Sequence, residues 1–202
     1  MSSILIIVDM EEGHLFPVFG LAHSLVSRGH EITFVSVADN EEYIRDQGFN
    51  FKPVLTDKFP KGSRHGGKII HQHNHGSSFE MIDMPFDEGS AAALLEENPD
   101  LIITTTFLSL EALLVFYKFG LKSIIFTPYL VATNSPATEA AYKLTRQPME
   151  TLISLFSNLG SIRDKLPLNK GMDIFAEPLT GFTEIIGCPR ELEMPGDRKS
   201  VV

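Results

Sequence analysis

The chain has 202 residues, 43% of them hydrophobic, enough for one large α/β domain or two small ones with a sizeable core. A net charge of −9 and a pI of about 5.2 leave no basic stripe to neutralise phosphates, which argues against nucleic acid as a partner. A single cysteine, Cys188, excludes an internal disulfide and is consistent with a reducing cytoplasm.

Ile4-Val8 is a short apolar, β-branched run that reads as a buried strand. It is too short for a signal-peptide core and runs directly into Asp9, Glu11 and Glu12. A loop carrying Gly13 and His14 should follow, then a helix opened by Pro17 with Val18, Leu21, Ala22, Leu25 and Val26 at helical spacing, capped at Gly29. Glu31-Val37 reads as a second strand. Asn40-Gln47 reads as a short helix stopped by Gly48, and Asn50-Leu55 as a third strand. Strand and helix in alternation imply right-handed crossovers and a parallel sheet.

Thr56-Pro85 breaks this rhythm. It is rich in Gly, Ser and His with little periodicity, and a loop of that length inside a domain is usually functional. Asp87-Glu97 is helical, Leu101-Thr105 a fourth strand, Leu108-Phe119 a helix ended by Gly120, and Lys122-Thr127 a fifth strand. Pro128-Pro136 is a second candidate loop. Ala137-Leu159 is a long helical stretch interrupted at Pro148, and Phe182-Gly187 is a last strand. No uninterrupted apolar run approaches the roughly 20 residues of a membrane span, since Leu101-Phe126 is broken by Glu111, Lys118 and Lys122. The expected fold is therefore α/β, a doubly wound parallel sheet with helices on both faces.

His14 is the main chemical candidate. It follows the first strand of a parallel sheet, at the edge where ligands gather in open α/β folds. An imidazole with an ordinary pKa near ~6.5 accepts a proton at neutral pH. Thr104, Thr105 and Thr106 end the fourth strand at the same edge, although threonine is also a good strand former. His71, His73 and His75 alternate, with His65 nearby, and an extended segment would put three imidazoles on one face. With no cysteine or acidic ligand at tight spacing, a polar loop with chance histidines is a better reading than a metal site. The chain lacks GxGxxG after the first strand, GxxxxGK[ST] and GxSxG, which weighs against dinucleotide, P-loop and α/β-hydrolase readings.

The stretch ILIIVDMEEGHLFPVFGLAHSLVSRGHEITFV, from Ile4 to Val35, resembles the opening of family 1 glycosyltransferases of the GT-B fold. Pro99-Asp100 and Cys188-Pro195 carry the resemblance further. It implies an N-terminal, acceptor-binding half (residues 1–196), followed in the family by a linker to a donor-binding half. The implied reaction is inverting transfer of a hexose from a nucleotide-diphosphate sugar to a hydroxyl of a small, often apolar acceptor. The family needs no metal or other cofactor for this. His14 matches the family's catalytic base. Glu111 falls where some members place a partner carboxylate, with Asp9 on the near loop as the alternative. The acceptor surface is expected to include Gly13, Phe16, Thr104, Thr106, Pro128 and Tyr129. Residues 197–202, DRKSVV, read as a translated sequencing adapter rather than native chain. Two other readings stay open: a non-catalytic subunit of a two-chain glycosyltransferase, and a flavodoxin-like small-ligand-binding module.

Overall fold

The computed structural model describes residues 1–65, 68–69, 81, 83–96, 98–128 and 183–187. Strand β1 (Ser3–Ile7) leads through α1 (Glu12–Ser27) to β2 (Glu31–Ser36), and α2 (Glu41–Asp46) leads to β3 (Asn50–Pro53). A two-stranded antiparallel hairpin, β4 (Arg64–His65) and β5 (Lys68–Ile69), stands apart from the main sheet. The chain continues through α3 (Glu88–Glu96), β6 (Leu101–Thr105), α4 (Ser109–Phe119) and β7 (Ser123–Thr127) to β8 (Thr183–Ile186).

Among the described residues, six strands form one parallel sheet in the order β3-β2-β1-β6-β7-β8. Its inner strands are near-continuous apolar runs because both faces are covered. Ile4, Ile6 and Phe34 face Leu15, Val18 and Ala22 of α1 and Ile44 of α2. Leu5, Ile7, Val35 and Ile102 face Leu94 of α3 and Val115 of α4. This is the doubly wound α/β architecture read from the alternation of elements. The chain winds outward from β1 to β3, returns, and winds outward the other way from β6 to β8. The switch in direction falls between β1 and β6, and in open α/β sheets ligands bind beyond the carboxyl ends of the strands at such a point.

One boundary differs from the sequence reading in a way that touches the site. Helix α1 starts at Glu12, not Pro17, so Gly13 and His14 lie in its first turn rather than in a loop. Glu11 takes the cap position with extended angles, and its carbonyl accepts the N–H groups of His14 (3.0 Å) and Leu15 (3.1 Å). Pro17 then sits inside the helix, where its missing N–H forfeits the bond that would have run to the Gly13 carbonyl. The expected strand over Phe182-Gly187 is present as Thr183–Ile186. The expected helix Ala137-Leu159, the histidines 71, 73 and 75, Tyr129, Cys188 and the 197–202 tail lie outside the described residues, as does the domain boundary placed at residue 196.

Candidate functional site

The site is assembled where β1 and β6 part. Asp9 leaves the end of β1 and is buried. Its carboxylate is held at two points: Oδ1 accepts the Glu11 N–H at 2.9 Å, and Oδ2 meets His14 Nδ1 at 2.7 Å. The first contact is a side-chain turn typical of aspartate before a helix. The second is possible because α1 starts so early, which puts His14, five residues beyond Asp9, on a fixed first turn of the helix. The Asp9 side chain is 5% exposed and that of His14 21%. One end of the pair is therefore dry and the other opens toward solvent. An ionised carboxylate only accepts, so the neutral imidazole carries its hydrogen on Nδ1 and presents Nε2 as a base.

Behind Asp9 lies a polar clamp absent from the sequence reading. Asn40 Nδ2 donates to the Asp9 carbonyl at 2.8 Å and to Ser36 Oγ at 2.8 Å, and Ser36 Oγ donates to the same carbonyl at 3.2 Å. Both side chains are fully buried. The only hint in the sequence was that a serine ends an apolar strand with an asparagine four residues on.

Glu111 lies in the first turn of α4 and is buried. Burial pushes its carboxyl up to about 8, with the Asp9 charge adding to the rise against the lowering effect of its own backbone N–H. At neutral pH it is mostly protonated and supplies little negative charge. The carboxylate that meets Nδ1 is that of Asp9, the alternative of the two, because the early start of α1 brings His14 back over the end of β1.

The remaining candidates are only partly brought together. Gly13 borders His14 but has ordinary helical angles, and a Cβ there would meet nothing within 4 Å. Its expected loop conformation is not needed, since the helix has already begun. Phe16 is two residues past His14, about 200° around the helix. It is 46% exposed and packs edge-on to Tyr43 at 5.6 Å rather than beside His14. Thr104 and Thr105 are buried, and neither hydroxyl has a partner among the described residues. Thr104 pairs with Ile7 and so belongs to the α3–α4 side of the sheet. Thr106 is half-buried, and its hydroxyl contacts that of Thr127 and the Phe126 carbonyl, tying the exits of β6 and β7 together. Pro128 is half-buried just beyond β7. Among the described residues there is no cluster of histidine, cysteine and carboxylates suited to a metal ion, and no helix long and apolar enough to cross a membrane.

No family model matches the chain, and no curated protein matches it. Solved structures do. The glycotransferase of kitacinnamycin superposes with a TM-score of 0.57 at 18% identity, over 95% of this chain and 47% of that one. Glycosyltransferase VinC, solved in complex with dTDP, gives 0.55 at 17% identity, over 98% and 52%. SsfS6 of Streptomyces sp. SF2575 gives 0.53 at 21% identity, over 96% and 52%. The fold is that of half a GT-B glycosyltransferase. The chain spans about half the length of these solved structures. At such identities the GT-B likeness speaks for the architecture, and the chemistry rests on the residues at the switch point.

Proposed function

We propose that this chain is the acceptor-binding, base-bearing half of an inverting glycosyltransferase that moves a hexose from a nucleotide-diphosphate sugar to a hydroxyl of a small, apolar acceptor. The observation that carries the reading is the 2.7 Å contact between Asp9 Oδ2 and His14 Nδ1 at the sheet's switch point. The architecture shared with glycosyltransferases, one of them solved with a nucleotide diphosphate, supports it.

In this reading the acceptor hydroxyl lies against His14 Nε2. As its oxygen attacks the anomeric carbon, Nε2 takes the hydroxyl proton. The bond from that carbon to the diphosphate oxygen breaks on the opposite face, and the nucleotide diphosphate leaves with the electron pair. Attack opposite the leaving group inverts the anomeric configuration. Asp9 holds the ring in the Nδ1–H tautomer and stabilises the imidazolium as it forms. The Glu11 N–H keeps the carboxylate from rotating away. No metal or other cofactor is invoked. The donor is held by a second half, and the reaction takes place in the cytoplasm. The two-chain alternative, a non-catalytic subunit whose partner supplies the donor-binding half, gives His14 no part in the proton transfer.

The test is steady-state transfer by the full-length protein with saturating nucleotide sugar and an aliphatic alcohol acceptor. His14→Ala should lower kcat by about 10²–10⁴ with the fold intact. Acceptors of lower hydroxyl pKa should lose less, because they need less help to ionise. Near-normal turnover by His14→Ala with an aliphatic alcohol would remove His14 as the base. The 202-residue chain alone should transfer no sugar, since the groups that stabilise the departing diphosphate would be missing.

A further inference from the structure

The Asp9–His14 pair depends on the direction in which Asp9 leaves the sheet. The last ladder bond of that strand runs from the Val8 N–H to the Val35 carbonyl at 3.1 Å. One residue later the chain turns up into α1, and the Asp9 peptide plane is no longer fixed by the ladder. Its carbonyl is fixed by two side chains, Ser36 at the end of β2 and Asn40 just before α2. That arrangement uses every donor available: both Asn40 Nδ2 hydrogens and the Ser36 hydroxyl hydrogen. The Asn40 oxygen, by contrast, is buried and meets no donor among the described residues. A buried asparagine that leaves its acceptor unmet fits its surroundings through its two donated bonds alone.

We infer that Asn40, seconded by Ser36, is a positioning residue: by clamping the Asp9 carbonyl it aims the Asp9 carboxylate at His14 Nδ1 and so sets which ring nitrogen faces the acceptor. The inference rests on the proposed role of His14. The geometry gives a reason for the clamp beyond satisfying a carbonyl. With the peptide plane fixed from below and Oδ1 fixed by the Glu11 N–H, Oδ2 has one direction left, toward the imidazole. Without the clamp the peptide can tilt, and a misplacement of about 1 Å at a reacting group costs on the order of 10²-fold in rate.

The experiment reads the His14 ring directly. In a proton–nitrogen correlation spectrum of the nitrogen-labelled chain at a pH where the ring is neutral, the unaltered protein should show His14 as the Nδ1–H tautomer alone. Asn40→Ala should show a mixture with the Nε2–H tautomer. In the full-length protein the same variant should lower kcat about tenfold to 100-fold, with the acceptor KM within about twofold. Ser36→Ala removes a single oxygen and leaves the Asn40 bond to Asp9, so it should shift both readouts the same way by less. It also answers the question if Asn40→Ala does not fold. A folded Asn40→Ala chain with the His14 tautomer unchanged overturns the inference, as does a folded Ser36→Ala chain with neither readout moved. The two claims fail separately: normal turnover by His14→Ala removes the base, whereas an unchanged tautomer in Asn40→Ala removes the clamp.

Discussion

His14 and Glu111 show how differently two titratable side chains fare at one sheet edge. His14 keeps part of its ring in solvent and gains a carboxylate, whereas Glu111 is shut in beside a like charge. Its consequence for stability has a definite sign. Below the ordinary glutamate value of 4.5, folded and unfolded chains both hold the proton. Between there and about 8 the unfolded chain gives it up and the folded chain keeps it, so stability falls as pH rises through that window. Denaturant unfolding of Glu111→Gln should therefore show a gain over the unaltered chain that grows from pH 5 to pH 8, on the order of a few kcal/mol in all. A gain independent of pH would mean that the carboxyl is not held neutral. For turnover, Asp9→Asn should be the damaging change, costing up to about 10⁴-fold, and Glu111→Gln the milder one. The sequence favoured Glu111 over Asp9 because resemblance weighs position along the chain. The deciding quantity was the start of one helix, and the Glu11 cap that sets it has no serine or threonine to announce it.

Among the elements, the described strands of the main sheet and the end of α4 were legible to within about two residues, because burial on two faces leaves few alternatives. The end of α4 is one case: Gly120 adopts a left-handed φ of 69° as the cap, and Gly120→Ala should cost about 1–2 kcal/mol. The cluster of Phe19, Phe34 and Phe49 was not legible, since ring contacts of 5.1 to 6.1 Å join α1, β2 and the turn before β3. Phe34 is fully buried there, and Phe34→Ala should cost about 3–5 kcal/mol in a denaturant titration. Gly187 at the end of β8 is also a packing residue, as a Cβ there would lie 2.5 Å from the Phe126 ring. Gly187→Ala should cost about 1–3 kcal/mol through the forced shift of that ring. Gly13→Ala should do the opposite, stabilising α1 by about 0.5–1 kcal/mol because its Cβ meets nothing. If the acceptor passes over that turn, the same variant should raise the acceptor KM in the full-length protein.

At the scale of the whole molecule, the sheet order places the candidate chemistry at one point. Each strand was readable alone, but the order β3-β2-β1-β6-β7-β8 was not, because adjacency between β1 and β6 joins residues about 100 positions apart. That central placement of β1 has a consequence for motion. Its amides and carbonyls are engaged by β2 on one side and β6 on the other, so exchanging them with solvent deuterium requires the sheet to come apart, not merely to fray. The amides of Leu5 to Val8 should be among the slowest to exchange, at rates set by global unfolding, while those of β3 and β8 at the two edges exchange sooner. Asp9 grows directly out of that slowest strand. The anchor of the imidazole is thus tied to the part of the protein that breathes least, and the ring held at its Nδ1 inherits that stillness.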